Sequence, residues 1–104
     1  QAQGMVTSQQ LARLPEGERV KVAGIVVRPH RPPTKSGKVV VFLTMEDEFG
    51  LIDVVVFEEV YQKYGGLIFL RPALIVAGSI QRTKHSLSLI ATHIRKLNLS
   101  TQES

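Results

Sequence analysis

Apolar residues in this chain gather in short runs rich in β-branched side chains and cut by glycine, proline and charged turns, the pattern of strands rather than of long amphipathic helices. Residues 20–27 form a first such run, rich in β-branched side chains and carrying an internal glycine, Gly24, that marks a bulge or sharp bend. Pro29, Pro32 and Pro33 forbid a regular ladder after it, and Ser36-Gly37 signals a turn. A second strand is expected over 38–45 and a third over 51–57. Between them Glu46-Asp47-Glu48-Phe49-Gly50 makes a tight acidic turn, with Gly50 available for a positive φ. Residues 58–64 then read as a short helix, with acids in its first turn and Gly65-Gly66 as its stop. Arg71-Pro72 breaks the chain again before a fourth strand over 73–81, itself interrupted by Gly78. The connection 82–85 leads to a last strand over 86–94, whose opening alternates polar and apolar side chains. Ahead of all this, Thr7 or Ser8 caps a short helix running to about Leu14, ended by Pro15 and the Glu16-Gly17 turn.

At 104 residues the chain is one domain, with 43% hydrophobic and 21% charged residues, a globular composition. It divides into an N-terminal, partly helical extension over 1–15, a folded domain over 16–99 and a disordered tail over 100–104, with fraying expected over residues 1–8 as well. The absence of cysteine removes disulfides, thiolate metal sites and cysteine nucleophiles together. No apolar run reaches the roughly 20 residues of a membrane span, and no signal-peptide core is present, so a cytoplasmic location is expected.

The net charge of +4 is unevenly spread. Glu46, Asp47, Glu48, Asp53, Glu58 and Glu59 fall in one stretch, and the rest is distinctly basic. Segment 28–38 holds Arg28, Arg31, Lys35 and Lys38, four of the 13 basic residues, and no acid. Such a loop adds nothing to a core, and polyanions are the partners its charge suits.

Three strands, one helix and two strands is the chain order of the OB-fold, a five-stranded Greek-key barrel, all-β with one short helix. An SH3-like barrel or an open meander does not explain a helix between the third and fourth strands. Residues 22–28 and 37–50, with the run Phe42-Leu43-Thr44-Met45-Glu46-Asp47-Glu48 and its trailing Gly50, closely resemble the OB domain in the C-terminal part of bacterial DNA polymerase III alpha subunits, nearest the error-prone branch. The resemblance covers about residues 15–99 and implies a piece of a DNA-directed DNA polymerase, working beside other replication or repair proteins. A weaker similarity links the same stretch to the anticodon-binding OB domains of class II aminoacyl-tRNA synthetases, where a phenylalanine equivalent to Phe42 stacks on a base. Asp53 stands where the polymerase domains more often carry asparagine, and Thr83-Lys84-His85 where they carry a glycine-containing loop.

OB-folds bind oligonucleotides across strands two and three, flanked by the first-to-second and fourth-to-fifth loops. Both loops are basic here, and they are expected to meet at one end of the barrel as a cationic clamp of Arg28, Arg31, Lys35, Lys38, Arg82 and Lys84, with His85 beside it. Strand parity puts Val41, Leu43 and Met45 inside and Phe42, Thr44 and Glu46 outside, which makes Phe42 the candidate for base stacking. By the same parity Ile52, Val54 and Val56 fill the interior, while Leu51, Asp53, Val55 and Phe57 face out, as do Ala23, Ile25 and Val27. Phe57, Tyr61 and Tyr64 are expected to plug the barrel bottom. His30 and His85 suit phosphate contact better than a metal, and His93 is read as structural or exposed. Neither a catalytic set nor a cofactor motif is found, and Glu46, Asp47 and Glu48 are consecutive and cannot converge on one ion. The expected function is single-stranded DNA binding with low sequence specificity, without enzyme activity, cofactor, metal or small-molecule substrate. Two alternatives stand beside it: protein docking through Ile25, Val27, Leu51 and Val55, and anticodon-type tRNA binding.

Overall fold

Five strands that each present one apolar face can bury those faces together by closing on themselves, and these do. The computed structural model describes residues 4–32 and 35–97. Its elements run α1 (Ser8–Leu11), β1 (Arg19–Val26), β2 (Val40–Asp47), β3 (Gly50–Phe57), α2 (Glu58–Leu70), β4 (Ala73–Arg82) and β5 (Leu87–Lys96). The strands form a closed barrel in the order β1-β2-β3-β5-β4, antiparallel except for the parallel β3–β5 pair, which is the OB-fold expected from the element order. Pro33 and the tail over 100–104 lie outside the described residues.

β1 pairs with β4 from Arg19 to Ile25 and with β2 at Ile25 and Val26, so it serves both halves of the barrel and must bend where it changes partner. Gly24 sits at that crossing, where a Cβ would lie 2.6 Å from the Glu46 carbonyl oxygen. Val41, Leu43 and Met45 of β2 and Ile52, Val54 and Val56 of β3 are all buried, while Phe42, Leu51, Asp53 and Phe57 are exposed, in agreement with the parity read from the sequence.

α2 departs from expectation, because it runs through Gly65-Gly66 to Leu70. Two helical glycines cost about 1 kcal/mol each relative to alanine. Continuing the helix buries Ile68 to 1% exposure and packs Leu67 against the core, which offsets that cost by roughly 1.5–3 kcal/mol for Ile68 alone. Arg71 and Pro72 end it instead. Of the three aromatics expected beneath the barrel, Tyr61 and Tyr64 pack partly buried against the core, whereas Phe57 stays half exposed.

The N-terminal segment is less frayed than its composition predicts over its described part. Val6 N–H donates to the Lys21 carbonyl and Lys21 N–H to the Gly4 carbonyl, adding a short parallel bridge on the edge of β1 that β4 leaves free. Thr7 and Gln10 form a reciprocal capping box that starts α1, and Leu11 is buried against the barrel. Asp47 at the end of β2 fastens this segment. Its carboxylate accepts from Ser8 N–H at 2.6 Å, Ser8 Oγ–H at 2.7 Å, and the N–H groups of Phe49 and Gly50 at 2.9 and 3.0 Å.

Partial burial pushes the Asp47 carboxyl up, but the bonds from Ser8, Phe49 and Gly50 outweigh it and hold the group below its ordinary value of 3.8. A carboxyl depressed in the folded state contributes stability above its unfolded value and loses it as the pH falls through the folded one. The urea midpoint of the protein is therefore expected to exceed that of Asp47→Asn by a constant amount above about pH 5, and the difference to shrink below about pH 4. A difference that stays constant down to pH 3 would show that these bonds do not depend on ionisation.

Candidate nucleic-acid interface

The outer face of β2 and β3 is built row by row. Val27 N–H donates to the Thr44 carbonyl at 2.8 Å, Thr44 pairs with Asp53, and Asp53 with Ser88 of β5. In the next row His30 and Phe42 exchange two backbone bonds of 2.7 Å, Phe42 pairs with Val55, and Val55 with Ile90. At the usual spacing of about 4.8 Å between strands, each row is about 14 Å wide. The loop after β1 thus does not hang free: it runs back along β2 and makes one wall of the face.

Between these rows lies an open groove of about 340 Å³, lined by Arg28, His30, Phe42, Thr44, Asp53 and Ser88 among others. Phe42 is 45% exposed at its floor, so its ring is available for stacking without being a core side chain. The groove therefore offers a flat apolar surface, a guanidinium and an imidazole on one wall, and hydroxyl and carboxylate oxygens on the floor.

The remaining residues of the expected clamp are distributed less simply. Arg31 is exposed but leans on α2, its Nη1 donating to the Tyr61 hydroxyl at 3.3 Å and its guanidinium carbon 6.0 Å from the ring centre. Lys35 stands exposed on the turn that leads to β2. Lys38 lines a different groove, of about 410 Å³, together with Glu58 and Glu59 at the start of α2. Lys84 and His85 are exposed on the turn between β4 and β5, which Thr83 and Ser86 hold by a backbone bond of 2.9 Å and a hydroxyl pair at 2.7 Å. Because Ser88 pairs with Asp53, this turn flanks the far edge of β3, and the two basic segments stand on opposite sides of the β2–β3 face.

Arg82 is spent elsewhere. It closes β4 and donates from Nε and Nη2 to the Leu14 carbonyl at 3.0 and 2.6 Å and from Nη2 to the Ala12 carbonyl at 2.6 Å. Those carbonyls follow α1 and have few other donors, so the guanidinium works as a clasp on the N-terminal segment. The groove also contains Ser88, which sequence reasoning did not place there, and His30, which it read only as a loop residue suited to phosphate contact. The period-two pattern puts Ser88 on the outer face, but only the parallel β3–β5 register brings it beside Asp53.

A third groove, of about 440 Å³, lies on the other side of the barrel, lined by Tyr64 of α2 with Lys21, Ile75, Ala77, His93 and Arg95. His93 is exposed there, its ring centre 6.3 Å from that of Tyr64.

Residues 3–97 match the family described as OB-fold nucleic acid binding domain. The chain is a member of that family. An error-prone DNA polymerase of Symbiobacterium thermophilum is 50% identical to this OB domain over 98 residues, which is 92% of the domain and 9% of the polymerase. The domain thus spans less than a tenth of that relative's length. Among solved structures, asparaginyl-tRNA synthetase from Pyrococcus horikoshii, in complex with asparaginyl-adenylate, superposes with a TM-score of 0.72 at 20% identity, over 88% of this domain and 22% of the synthetase. A mitochondrial single-stranded DNA binding protein of S. cerevisiae superposes with a TM-score of 0.62 at 13% identity, over 79% of this domain and 96% of that protein. At these identities the two structures establish the shared fold. No helix among the described residues is long and apolar enough to cross a membrane.

Proposed function

We propose that this OB domain binds single-stranded DNA with little sequence preference, as a non-catalytic module of an error-prone or replicative DNA polymerase, where it would hold template strand near the active site. The observation that carries the proposal is the groove in which Phe42 lies open between the Arg28 and His30 wall and the Ser88 edge. A base stacked on such an aromatic contributes about 1–3 kcal/mol, and a duplex, with its bases already stacked, has no free face to offer. Arg28, Arg31, Lys35 and Lys84 supply the phosphate contacts, with His85 beside Lys84. Arg82 is left out because its Nε and Nη2 donors are taken by main-chain carbonyls, and Lys38 because it shares its groove with two carboxylates. The likeness to the S. thermophilum polymerase supports the parent assignment, and partners among replication or repair proteins belong to the same reading.

Titration of a labelled 12-nucleotide strand by fluorescence anisotropy tests it. Four neutralised phosphates on a single strand predict a slope of log K against log[salt] near −3, with single strands preferred over duplex of the same length. Binding independent of salt, or none at low salt, would remove the proposal.

A second reading has its own observation. Ile25, Val27, Leu51 and Phe57 are 43–63% exposed on or beside the same face, an apolar surface that would suit a protein partner. Competition between DNA and RNA strands of one sequence separates the DNA reading from a tRNA-binding one, which the synthetase fold leaves open.

A further inference from the structure

Asp53 is the one acid in the groove floor, and a carboxylate beside a phosphate-binding wall weakens phosphate binding by charge repulsion. That loss is offset only where its oxygens meet donors, and nucleobases differ in the donors they carry. Asp53 pairs with Thr44 and Phe42 with Val55, so Phe42 and Asp53 are diagonal neighbours on one face, about 7–8 Å apart along the usual sheet geometry. A base lying flat on the Phe42 ring with its edge turned toward β3 therefore comes within reach of the Asp53 carboxylate. Asp53 Oδ1 accepts from the Thr44 hydroxyl at 3.4 Å, a long bond, and Oδ2 has no donor among the described residues. The floor thus presents acceptors.

We propose that Asp53 selects the base stacked on Phe42, favouring one with an amino donor, guanine above all, over thymine. The inference rests on the single-strand reading above and names one base position within it. Guanine carries N1–H and N2–H₂ side by side, two donors that match the two oxygens of a carboxylate, which only accepts. Cytosine and adenine offer one amino group each, and a carboxylate accepting from cytosine N4 is a known pairing. Thymine has a single N3–H flanked by O2 and O4, and both oxygens face the carboxylate unfavourably. The rest of the strand is held by its phosphates and sugars, which carry no sequence.

The test compares a twelve-residue thymidine strand with an alternating guanosine–thymidine strand of the same length, by anisotropy at low salt. The wild-type protein binds the guanosine-containing strand about tenfold more tightly, the lower part of the range for bidentate base contacts. Asp53→Asn removes the anion and puts a donor in place of one acceptor. It therefore collapses the ratio to within about twofold, chiefly by tightening the thymidine strand. Asp53 is exposed, so the variant keeps its melting temperature. Phe42→Ala weakens both strands and shrinks the ratio with them, because the base is no longer held over Asp53. Equal binding of both strands by the wild type, or a ratio unchanged in Asp53→Asn, overturns the selectivity and leaves single-strand binding standing. Binding of neither strand overturns both.

Discussion

Replacing Arg28, Lys35 and Lys84 together by glutamate is expected to lower the affinity for a single strand by on the order of a hundredfold or more, and to flatten the salt dependence from a slope near −3 toward zero. All three side chains are exposed, and they stand on both sides of the β2–β3 face. Arg31 is left in place because it has a partner within the protein, the Tyr61 hydroxyl, and its loss would disturb α2 as well as the ligand. The expected melting temperature of the triple variant is within a few degrees of the parent, since exposed charges contribute little to stability. The matching control reverses Lys21 and Arg95 in the groove on the other side of the barrel. Two fewer cations there change the net charge but not the proposed site, so the affinity falls only by the weak long-range term that salt screens over about 10 Å. If the back-face reversal cost as much as the front-face one, the platform would be misplaced. If the front-face variant kept its affinity, the face would be a docking surface and its apolar residues the ones to examine next.

The parts of this protein that were legible in its sequence are those set by local periodicity. Val41 and Phe42 are adjacent, yet one is fully buried and the other 45% exposed, because neighbouring strand residues point to opposite faces. Lys21 and Asp53 marked the outer faces of β1 and β3 for the same reason. What was not legible depended on contacts between distant segments. Gly65-Gly66 is a sound helix stop by propensity, and Ile68 overrides it by burial in a barrel whose interior is assembled from all five strands. Arg82 looks like one more cation in a basic connection; its real partners are main-chain carbonyls 68 and 70 residues earlier, and no side-chain pattern encodes a backbone acceptor. His30 reads as a loop residue between prolines, but its backbone forms a bridge to Phe42 that makes it part of the face. The groove is therefore half visible in the sequence: the residue types follow from alternation, and their assembly into rows follows from register.

Register is also where the largest effect on stability is expected. Gly78 pairs with Val20 on one side and Ala91 on the other, and the β4–β5 register shifts between Ala77 and Gly78. A Cβ at this position would overlap the Ile90 carbonyl oxygen and crowd the Ala91 Cα at 3.1 Å. Both obstacles are backbone, so no rotamer change relieves them; either β5 moves away or the bulge is lost. β5 cannot move freely, because its inner face carries Leu89, Ala91 and Ile94, all buried, and its far edge pairs in parallel with β3. Gly78→Ala is therefore expected to cost about 3 kcal/mol, the upper end for overpacking, out of the roughly 5–15 kcal/mol that holds a domain of this size together. Gly66→Ala is the counterpart: nothing lies within 4 Å of its Cβ position in α2, so alanine should stabilise by about 0.5–1 kcal/mol through helix propensity and reduced unfolded-state entropy. Urea unfolding of both variants measures the contrast. A Gly78→Ala protein as stable as its parent would mean that β4 and β5 tolerate a shift that the closed barrel forbids.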